Sequence, residues 1–258
     1  TAGILFTLLR ESITFFSSTS IFDFYTGTQW SPWSGHFGVL PLITGTLLIT
    51  LIAAIVAVPL GLMSAIFLSE YAINRARKII KPTLEVLAGI PTVVYGFFAL
   101  TFVTPLLKSL LPGLGVFNAL SAGIVVGIMI IPMIASLSED AMNSVPNNLR
   151  EGALALGATK LEVAFKVVLP AAFSGIMASI VLAISRAIGE TMIVVIAAGA
   201  SPALTFDPTR SIQTLTAFIV QGATGDTTFG STIYYSIYAV GATLFIFTLL
   251  MNMLSQYI

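Results

Sequence analysis

The sequence contains no cysteine, a single histidine and few charged residues. Without cysteine, disulfide bonds, thiolate metal sites and cysteine nucleophiles are excluded. Charged residues make up 9% of the 258 residues, against roughly 25% in soluble domains, whereas 57% are hydrophobic. The 11 basic and 11 acidic residues cancel, so no basic field favours binding to nucleic acid. This composition indicates a membrane protein.

The chain also lacks a Gly-Lys dipeptide, and therefore the GxxxxGK[ST] loop that holds nucleotide phosphates. The histidine, His36, has no second histidine and no close cluster of carboxylates around it in sequence. We therefore expect neither a metal site nor a nucleophile, base and orienter constellation. The prediction is a chain that is not an enzyme and binds no cofactor of its own.

Long apolar runs are what the sequence has in abundance. A helix needs about 20 residues to cross about 30 Å of hydrocarbon. Four runs without Asp, Glu, Lys or Arg reach this length, and a fifth is interrupted by two charges; they lie within 37–69, 86–107, 119–138, 232–257 and, interrupted, 169–200. The apolar run 1–9 is too short to cross and is predicted to be part of an incomplete first helix. The pattern predicts an all-α polytopic membrane protein of about six transmembrane helices in one domain, residues 1–258.

The distribution of basic residues predicts the orientation in the membrane. Segments 70–81 and 141–168 carry seven Lys and Arg residues, whereas the alternate connections carry three. By the positive-inside tendency, both basic segments and both termini lie in the cytoplasm. Trp30 and Trp33 then fall on the outer side, either at the membrane interface or in ordinary loop packing. Because the chain begins without methionine and ends in an apolar run, we expect further residues at both ends.

The cytoplasmic segment 141–170 includes NLREGALALGATKLEVAFKVVLP. Leu149, Ala153 and Leu156 fall on one side of a short helix, and Gly157 is suited to end it. A second helix is predicted to begin near Lys160. From these residues alone, a docking surface and a plain surface helix between two spans are both compatible with the pattern.

The spacing in this segment resembles the EAA loop of bacterial ABC importer permeases, which reads Glu-Ala-Ala, three residues, Gly, nine residues, Ile, one residue, Leu-Pro. The matching residues here are Glu151, Gly152, Ala153, Gly157, Val167, Leu169 and Pro170, with Gly152 in place of Ala and Val167 in place of Ile. In that family the loop forms a coupling helix in a groove of the ATP-binding subunit. The resemblance therefore implies ATPase coupling for Glu151, Gly152, Ala153, Gly157, Leu169 and Pro170.

Further stretches resemble the permease subunits of the phosphate-specific importer, in particular the PstC type. They include GVLPLITGTLLIT at 38–50, GIPTVVYGFFAL at 89–100 and SRAIGETMIV at 185–194. The resemblance implies a type I ABC importer permease fold and import of phosphate across the bacterial inner membrane. It also implies four kinds of partner: a second, PstA-type permease, two ATP-binding subunits that hold ATP and Mg, an external phosphate-binding protein and the lipid bilayer.

Arg186 and Glu190 are the formal charges inside the interrupted run. Their i, i+4 spacing predicts that both side chains lie on one helical face. Their distance from Pro170 predicts a position between the middle of the membrane and its outer half. Because charges facing lipid are costly, we expect both to face protein or water. They either neutralise one another structurally, or Arg186 offers its donor fork to phosphate while Glu190 holds or releases it. In the family that the chain resembles, the matching Arg and Glu are implicated in transport, so we predict both as substrate-pathway residues.

Three alternatives stay open at this stage. An arginine does not by itself distinguish phosphate from sulfate, molybdate or tungstate, so a permease for another oxyanion fits the same residues. An ATP-independent transporter or channel leaves the EAA spacing unexplained. A membrane scaffold or phosphate sensor would assemble without transporting.

Overall fold

The protein is mostly helical in the computed structural model, which describes residues 2–225 and 227–257. Two helices, α1 (Ala2–Ser18) and α2 (Ile21–Thr26), come first, and an antiparallel hairpin of β1 (Trp30–Ser31) and β2 (His36–Phe37) follows them. The later helices are α3 (Leu40–Ile66), α4 (Asn74–Ala88), α5 (Thr92–Phe98), α6 (Thr104–Leu110), α7 (Ala119–Asn143), α8 (Asn147–Ala155), α9 (Lys160–Val163), α10 (Leu169–Ala171), α11 (Phe173–Ile188), α12 (Met192–Ala197), α13 (Leu215–Thr224) and α14 (Thr232–Tyr257). Short π-helical turns continue α3, α5 and α9 without a break; they are Phe67–Tyr71, Ala99–Val103 and Ala164–Val168.

Among the described residues, four helical stretches are long and apolar enough to cross a membrane. They are Leu40–Tyr71, Thr92–Leu110, Ala119–Asn143 and Thr232–Tyr257. A fifth span exists if Lys160–Ala171 and Phe173–Ile188, which are bent by 73° at Ala172, count as one. The prediction of an all-α polytopic membrane protein is confirmed. Helix α1 has 17 residues and continues through Arg10 and Glu11, so the incomplete first span stays a prediction.

The long apolar helices accommodate polar residues by bonding them within the helix. Thr46 Oγ1 donates to the Leu42 carbonyl and Thr50 Oγ1 to the Thr46 carbonyl, both at 2.8 Å. Such bonds satisfy hydroxyls that water cannot reach in a bilayer. Pro59 lies inside α3 and Pro132 inside α7, where each removes one backbone donor.

The residues group into two compact units, and the first comprises Thr1–Ile52, Pro91–Val126 and Ile188–Leu250. Its core is aromatic: Phe15, Phe24 and Trp30 are buried, and the Trp30 ring packs edge-on against Phe218 with centroids 4.7 Å apart. Edge-to-face contacts of this kind stabilise aromatic pairs beyond the area they bury. Trp30 is therefore a loop-packing residue, whereas Trp33 is exposed.

The second unit comprises Ala53–Ile90, Gly127–Ala187 and Met251–Ile258. Its core joins the end of α3, the end of α7 and the start of α11 through Ala65, Met142 and Ile176. Ser138 and Ser179 add a buried hydroxyl contact of 2.6 Å between α7 and α11. The single domain over residues 1–258 stays a prediction.

Candidate functional site

The coupling segment forms two short helices joined by a tight turn. Helix α8 ends at Ala155, and Gly157, two residues later, has a left-handed backbone with φ 89°. The Ala158 amide donates to the Ala153 carbonyl at 3.1 Å and the Gly157 amide to the Leu154 carbonyl at 2.9 Å. This pair of bonds is a Schellman motif, which satisfies the last carbonyls of a helix. The helix end and the start of α9 at Lys160 match the sequence prediction.

A capping box begins the second helix of the segment. Thr159 Oγ1 accepts from the Glu162 amide at 3.3 Å, and the Glu162 carboxylate accepts from the Thr159 amide at 3.0 Å. Reciprocal bonds of this type satisfy two amides that have no partner inside the helix. Only the four residues 156–159 therefore separate the two helices, and local bonds satisfy the backbone groups on both sides of this turn.

The predicted coupling residues divide between an inner and an outer side of this segment. Ala153 and Leu169 pack against the core cluster that contains Met142 and Ile176. The other predicted residues are exposed; they are Glu151, Gly152, Gly157 and Pro170. Two leucines are exposed beside them, Leu154 at 45% and Leu156 at 91%. Because Leu149 is exposed as well, these apolar residues are grouped on one short segment, which favours a surface for a partner over singly scattered apolar residues.

Replacing Gly157 by alanine is expected to lower the free energy of unfolding by about 1 kcal/mol, because a left-handed backbone costs an L-residue about 1–2 kcal/mol. Gly152→Ala is the matched control: neither glycine has an atom within 4 Å of an added Cβ, and Gly152 lies within α8. Alanine favours a helix interior over glycine by up to about 1 kcal/mol, so this control is neutral or stabilising. Denaturant unfolding in detergent measures both, and equal losses would contradict the assignment.

Arg150 ties α8 to the ends of two longer helices. Its guanidinium donates to Glu70 Oε1 from Nε at 3.3 Å and from Nη2 at 3.1 Å. It also donates to the Met142 carbonyl, in the last turn of α7, at 2.7 Å. A further bond goes to the Val145 carbonyl, just beyond the end of that helix. Carbonyls at a helix C-terminus have no partner in the helix and attract cations. Arg150 is thus a clamp that joins α8 to the ends of α3 and α7.

Truncation of Arg150 to alanine is expected to lower the free energy of unfolding by about 3 kcal/mol. The change leaves Glu70 with only the Ser69 hydroxyl and no ion-pair partner, and the two side chains of the ion pair are only 16% and 10% exposed. In a double-mutant cycle, the variant that carries both Arg150→Ala and Glu70→Ala should lose less stability than the sum of the two single variants, since the two residues share one interaction. Lys166→Ala is the control: its pair with Glu162 is 73% and 43% exposed and is worth under about 1 kcal/mol. Additive losses at Arg150 and Glu70 would argue against the clamp.

A second cluster of charges fixes α4 to α7. Arg77 and Lys81 of α4 both pair with the buried Glu139 of α7, and Lys81 Nζ lies 2.6 Å from Asp140 Oδ1. Burial by itself would lower the pKa of Lys81, but the hydrogen bonds and charges of Asp140 and Glu139 outweigh it, so the pKa is raised. Lys81 therefore stays cationic, and the start of α4 is held against α7.

Arg186 lies on α11, two residues before the helix ends at Ile188. Its exposed side chain lines a cavity of about 390 Å³ in the second unit, together with Glu85 of α4 and Ser136 of α7. Within its own unit, the described residues provide no hydrogen bond or ion pair to the guanidinium. A donor fork that faces a cavity and is not already neutralised there is suited to an anion.

Glu190 follows the end of α11 and belongs to the first unit. Its carboxylate accepts from the Met192 amide at 3.1 Å and the Ile193 amide at 3.3 Å, at the start of α12. Its own carbonyl accepts a 2.7 Å bond from the Thr216 hydroxyl. The expectation that Arg186 and Glu190 share one helical face is wrong, because α11 ends at Ile188 and Glu190 lies beyond its end. Their role on a substrate pathway stays a prediction.

Sequence reasoning missed two residues near Arg186. Glu85 and Ser136 lie on α4 and α7, far from Arg186 in sequence, and only the tertiary packing of α4, α7 and α11 places them on one cavity. Glu85 is the acidic residue of α4 and comes four residues before the break at Gly89. Such an acid beside a predicted span is a signal that could have been noted.

The chain matches a known family over most of its length. Residues 57–258 match the family described as "Binding-protein-dependent transport system inner membrane component". The chain is 39% identical over 245 residues to the "Probable ABC transporter permease protein YqgH" of Bacillus subtilis (strain 168), covering 94% of this chain and 79% of that protein. It is 36% identical over 262 residues to the "Phosphate transport system permease protein PstC" of Mesorhizobium japonicum, covering 93% and 79%.

Solved structures of ABC transporters share the fold. A chain of the bacterial alginate ABC transporter, in complex with a periplasmic protein carrying an alginate pentasaccharide, superposes with a TM-score of 0.68 at 15% identity, over 98% of this chain and 87% of that one. A chain of the inward-facing MetNI methionine ABC transporter gives 0.61 at 17% identity, over 89% and 97%. At such identity the likeness establishes the fold alone. The family match over residues 57–258 shows that this chain belongs to the inner membrane components of binding-protein-dependent transport systems, the permease subunits of ABC importers.

Proposed function

We propose that this chain is the PstC-type permease of an ATP-driven importer of inorganic phosphate. The observation that carries the proposal is the guanidinium of Arg186, which faces a cavity of about 390 Å³ and has no hydrogen-bond or ion-pair partner among the described residues of its own unit. The chain that holds it is 36% identical to a PstC protein across 93% of its length. Arginine suits this role because its planar fork matches the oxygen geometry of phosphate and stays charged at every physiological pH.

The proposed partners are a second, PstA-type permease, two ATP-binding subunits and an external phosphate-binding protein. ATP and Mg are held by the ATP-binding subunits, and α8 docks on one of them through its exposed side, where Leu154 and Leu156 offer apolar contacts. In this arrangement 141–170 and both termini are cytoplasmic, as the basic residues favour. Glu151 and Gly157 would lie at that contact.

The proposed mechanism is alternating access driven from α8. The ATP-binding subunits move α8, and the clamp at Arg150 passes that movement to the ends of α3 and α7. Helix α7 also carries Ser136, which lines the same cavity as Arg186. Nucleotide and the external binding protein bias the same states, so their effects on one another are reciprocal. Glu190 is proposed to act on the same path by holding the start of α12.

Phosphate uptake into reconstituted vesicles tests this proposal. The complete complex should accumulate phosphate only when ATP, the ATP-binding subunits and the external binding protein are all present. Uptake without ATP or without those subunits would instead identify an ATP-independent transporter or channel. A complex that assembles but never transports would identify a scaffold or sensor.

Competition separates phosphate from other oxyanions. Excess sulfate, molybdate or tungstate outside the vesicles should leave phosphate uptake unchanged. If one of them both blocks phosphate uptake and is itself accumulated with ATP, the chain is a permease for that anion.

A further inference from the structure

We infer that Glu85 makes the Arg186 cavity selective for phosphate over sulfate, by accepting a hydrogen bond from a protonated phosphate oxygen. This inference rests on the proposed transport of phosphate. It adds a specificity-determining residue within the permease itself, separate from any selection by the external binding protein.

The cavity combines one cation, one carboxylate and one hydroxyl with apolar walls. Arg186, Glu85 and Ser136 provide the polar groups, and Met129, Met133 and Leu137 contribute to the apolar lining. Its volume of about 390 Å³ exceeds the roughly 30 Å³ of one water more than tenfold, so a phosphate fits with several waters.

These polar groups are available to a ligand. Within the second unit, the described residues give the side chains of Arg186, Glu85 and Ser136 no hydrogen bond or ion pair. By contrast, the nearby charges of Arg77, Lys81 and Glu139 are taken up in pairs. The three polar side chains of the cavity therefore have no hydrogen-bond or ion-pair partner among the described residues of their unit, whereas the charged cluster at the start of α4 is paired.

The chemistry of the two anions differs at one point. Phosphate at neutral pH keeps at least one O–H, whereas sulfate has only acceptor oxygens. Arginine and a serine hydroxyl donate to either anion, but a carboxylate can only accept. Glu85 therefore adds the acceptor that the phosphate O–H requires, beside the donors Arg186 and Ser136. Against sulfate, the Glu85 carboxylate receives no hydrogen bond and is repelled by the negative charge. A polar site matched to an O–H group rejects the analogue that lacks it.

The experiment delivers the competing anion from the cytoplasmic side, where the external binding protein cannot select it. Vesicles holding the complete complex, with ATP and either sulfate or phosphate inside, take up labelled phosphate from outside. In the wild type, internal phosphate should inhibit uptake at a concentration at least about tenfold lower than internal sulfate. In Glu85→Gln, the inhibitory concentration of sulfate should fall about tenfold. The Gln amide donates a hydrogen bond to sulfate where the carboxylate repels it, and one hydrogen bond to a charged group has about this effect.

Controls separate this effect from general damage. Glu11→Gln removes one negative charge from α1 at a residue that does not line the cavity, and should keep the sulfate response of the wild type. Glu85→Asp retains the acceptor and should restore most of the discrimination. If Glu85→Gln fails to assemble, Glu85→Ala takes its place, because it also removes the carboxylate and should lower the inhibitory concentration of sulfate relative to that in Glu85→Asp.

Two results would overturn the inference: equal inhibition of the wild type by sulfate and phosphate, or an unchanged sulfate response in Glu85→Gln. Neither affects the proposed function, because ATP-dependent phosphate uptake by the wild type is measured in the same vesicles. Failure of that uptake with all subunits present would remove the proposed function first.

Discussion

Replacing Arg186 by alanine is expected to lower the rate of phosphate uptake by about 100-fold or more, while the complex still assembles. Arg186 presents its guanidinium to a cavity, and its own unit provides no partner for it. A hydrogen bond to a charged group is worth about 1.5–3 kcal/mol, and the guanidinium can offer two to one anion, so a loss of about 3 kcal/mol, roughly 100-fold, is expected. The measurement is ATP-driven uptake in vesicles, with co-purification of the partner subunits as the test of assembly.

The comparison with Arg186→Lys is informative, because lysine keeps the charge but loses the planar fork. An intermediate rate would indicate that the geometry of the donors contributes as well as the charge. Near-normal uptake by correctly assembled Arg186→Ala would reject a role for this residue in transport. Loss of assembly would show instead that its charge is structural. Glu190→Gln should reduce uptake less, since the Gln carbonyl can still accept from Met192 and Ile193.

The second large effect is expected at Leu156, where aspartate should weaken binding of the ATP-binding subunits by about 30-fold or more. The side chain is 91% exposed, so the chain itself has little to lose on substitution. Removal of a hot-spot residue from an interface costs about 2 kcal/mol or more, which is about 30-fold, and aspartate would also place an unpaired charge in the apolar contact. Co-purification of the ATP-binding subunits and ATP-driven uptake should therefore fall together.

Leu156→Met is the matched control, because it keeps an apolar side chain of similar volume at the same position. It should retain subunit binding and uptake, whereas unchanged binding in Leu156→Asp would place the docking surface elsewhere. Denaturant unfolding of the isolated chain should not distinguish either variant from the wild type. That result would separate a lost contact with a partner from a folding defect.

Much of the coupling segment could be predicted from local sequence. The left-handed turn at Gly157 and the capping box of Thr159 and Glu162 are made by neighbouring residues, so their sequence pattern carries the information. The apolar spans were predictable for a similar reason, because a bilayer requires about 20 apolar residues wherever a helix crosses it. The clamp at Arg150 was not predictable, since Glu70 is 80 residues away in sequence.

The stretch SRAIGET shows where local reasoning ends. Charge in an apolar run correctly marked Arg186 and Glu190 as unusual, but their spacing predicts a shared helical face only if the helix continues. Helix α11 ends at Ile188, and the Glu190 carboxylate binds the first amides of α12. Glycine at 189 weakens the helix but does not decide where it stops, because packing overrides such a propensity.

By itself, the sequence determined that this protein is a helical membrane protein and, through its resemblance to ABC importer permeases, predicted a coupling segment at 141–170, because hydrophobic length, basic residues and the EAA spacing are all local patterns. Only the tertiary structure decided which side chains meet at a site. It gathered Arg186, Glu85 and Ser136 from three helices around one cavity and anchored α8 through Arg150. The physical reason is that contacts between helices depend on how their faces pack in space, which the residues of one helix do not specify.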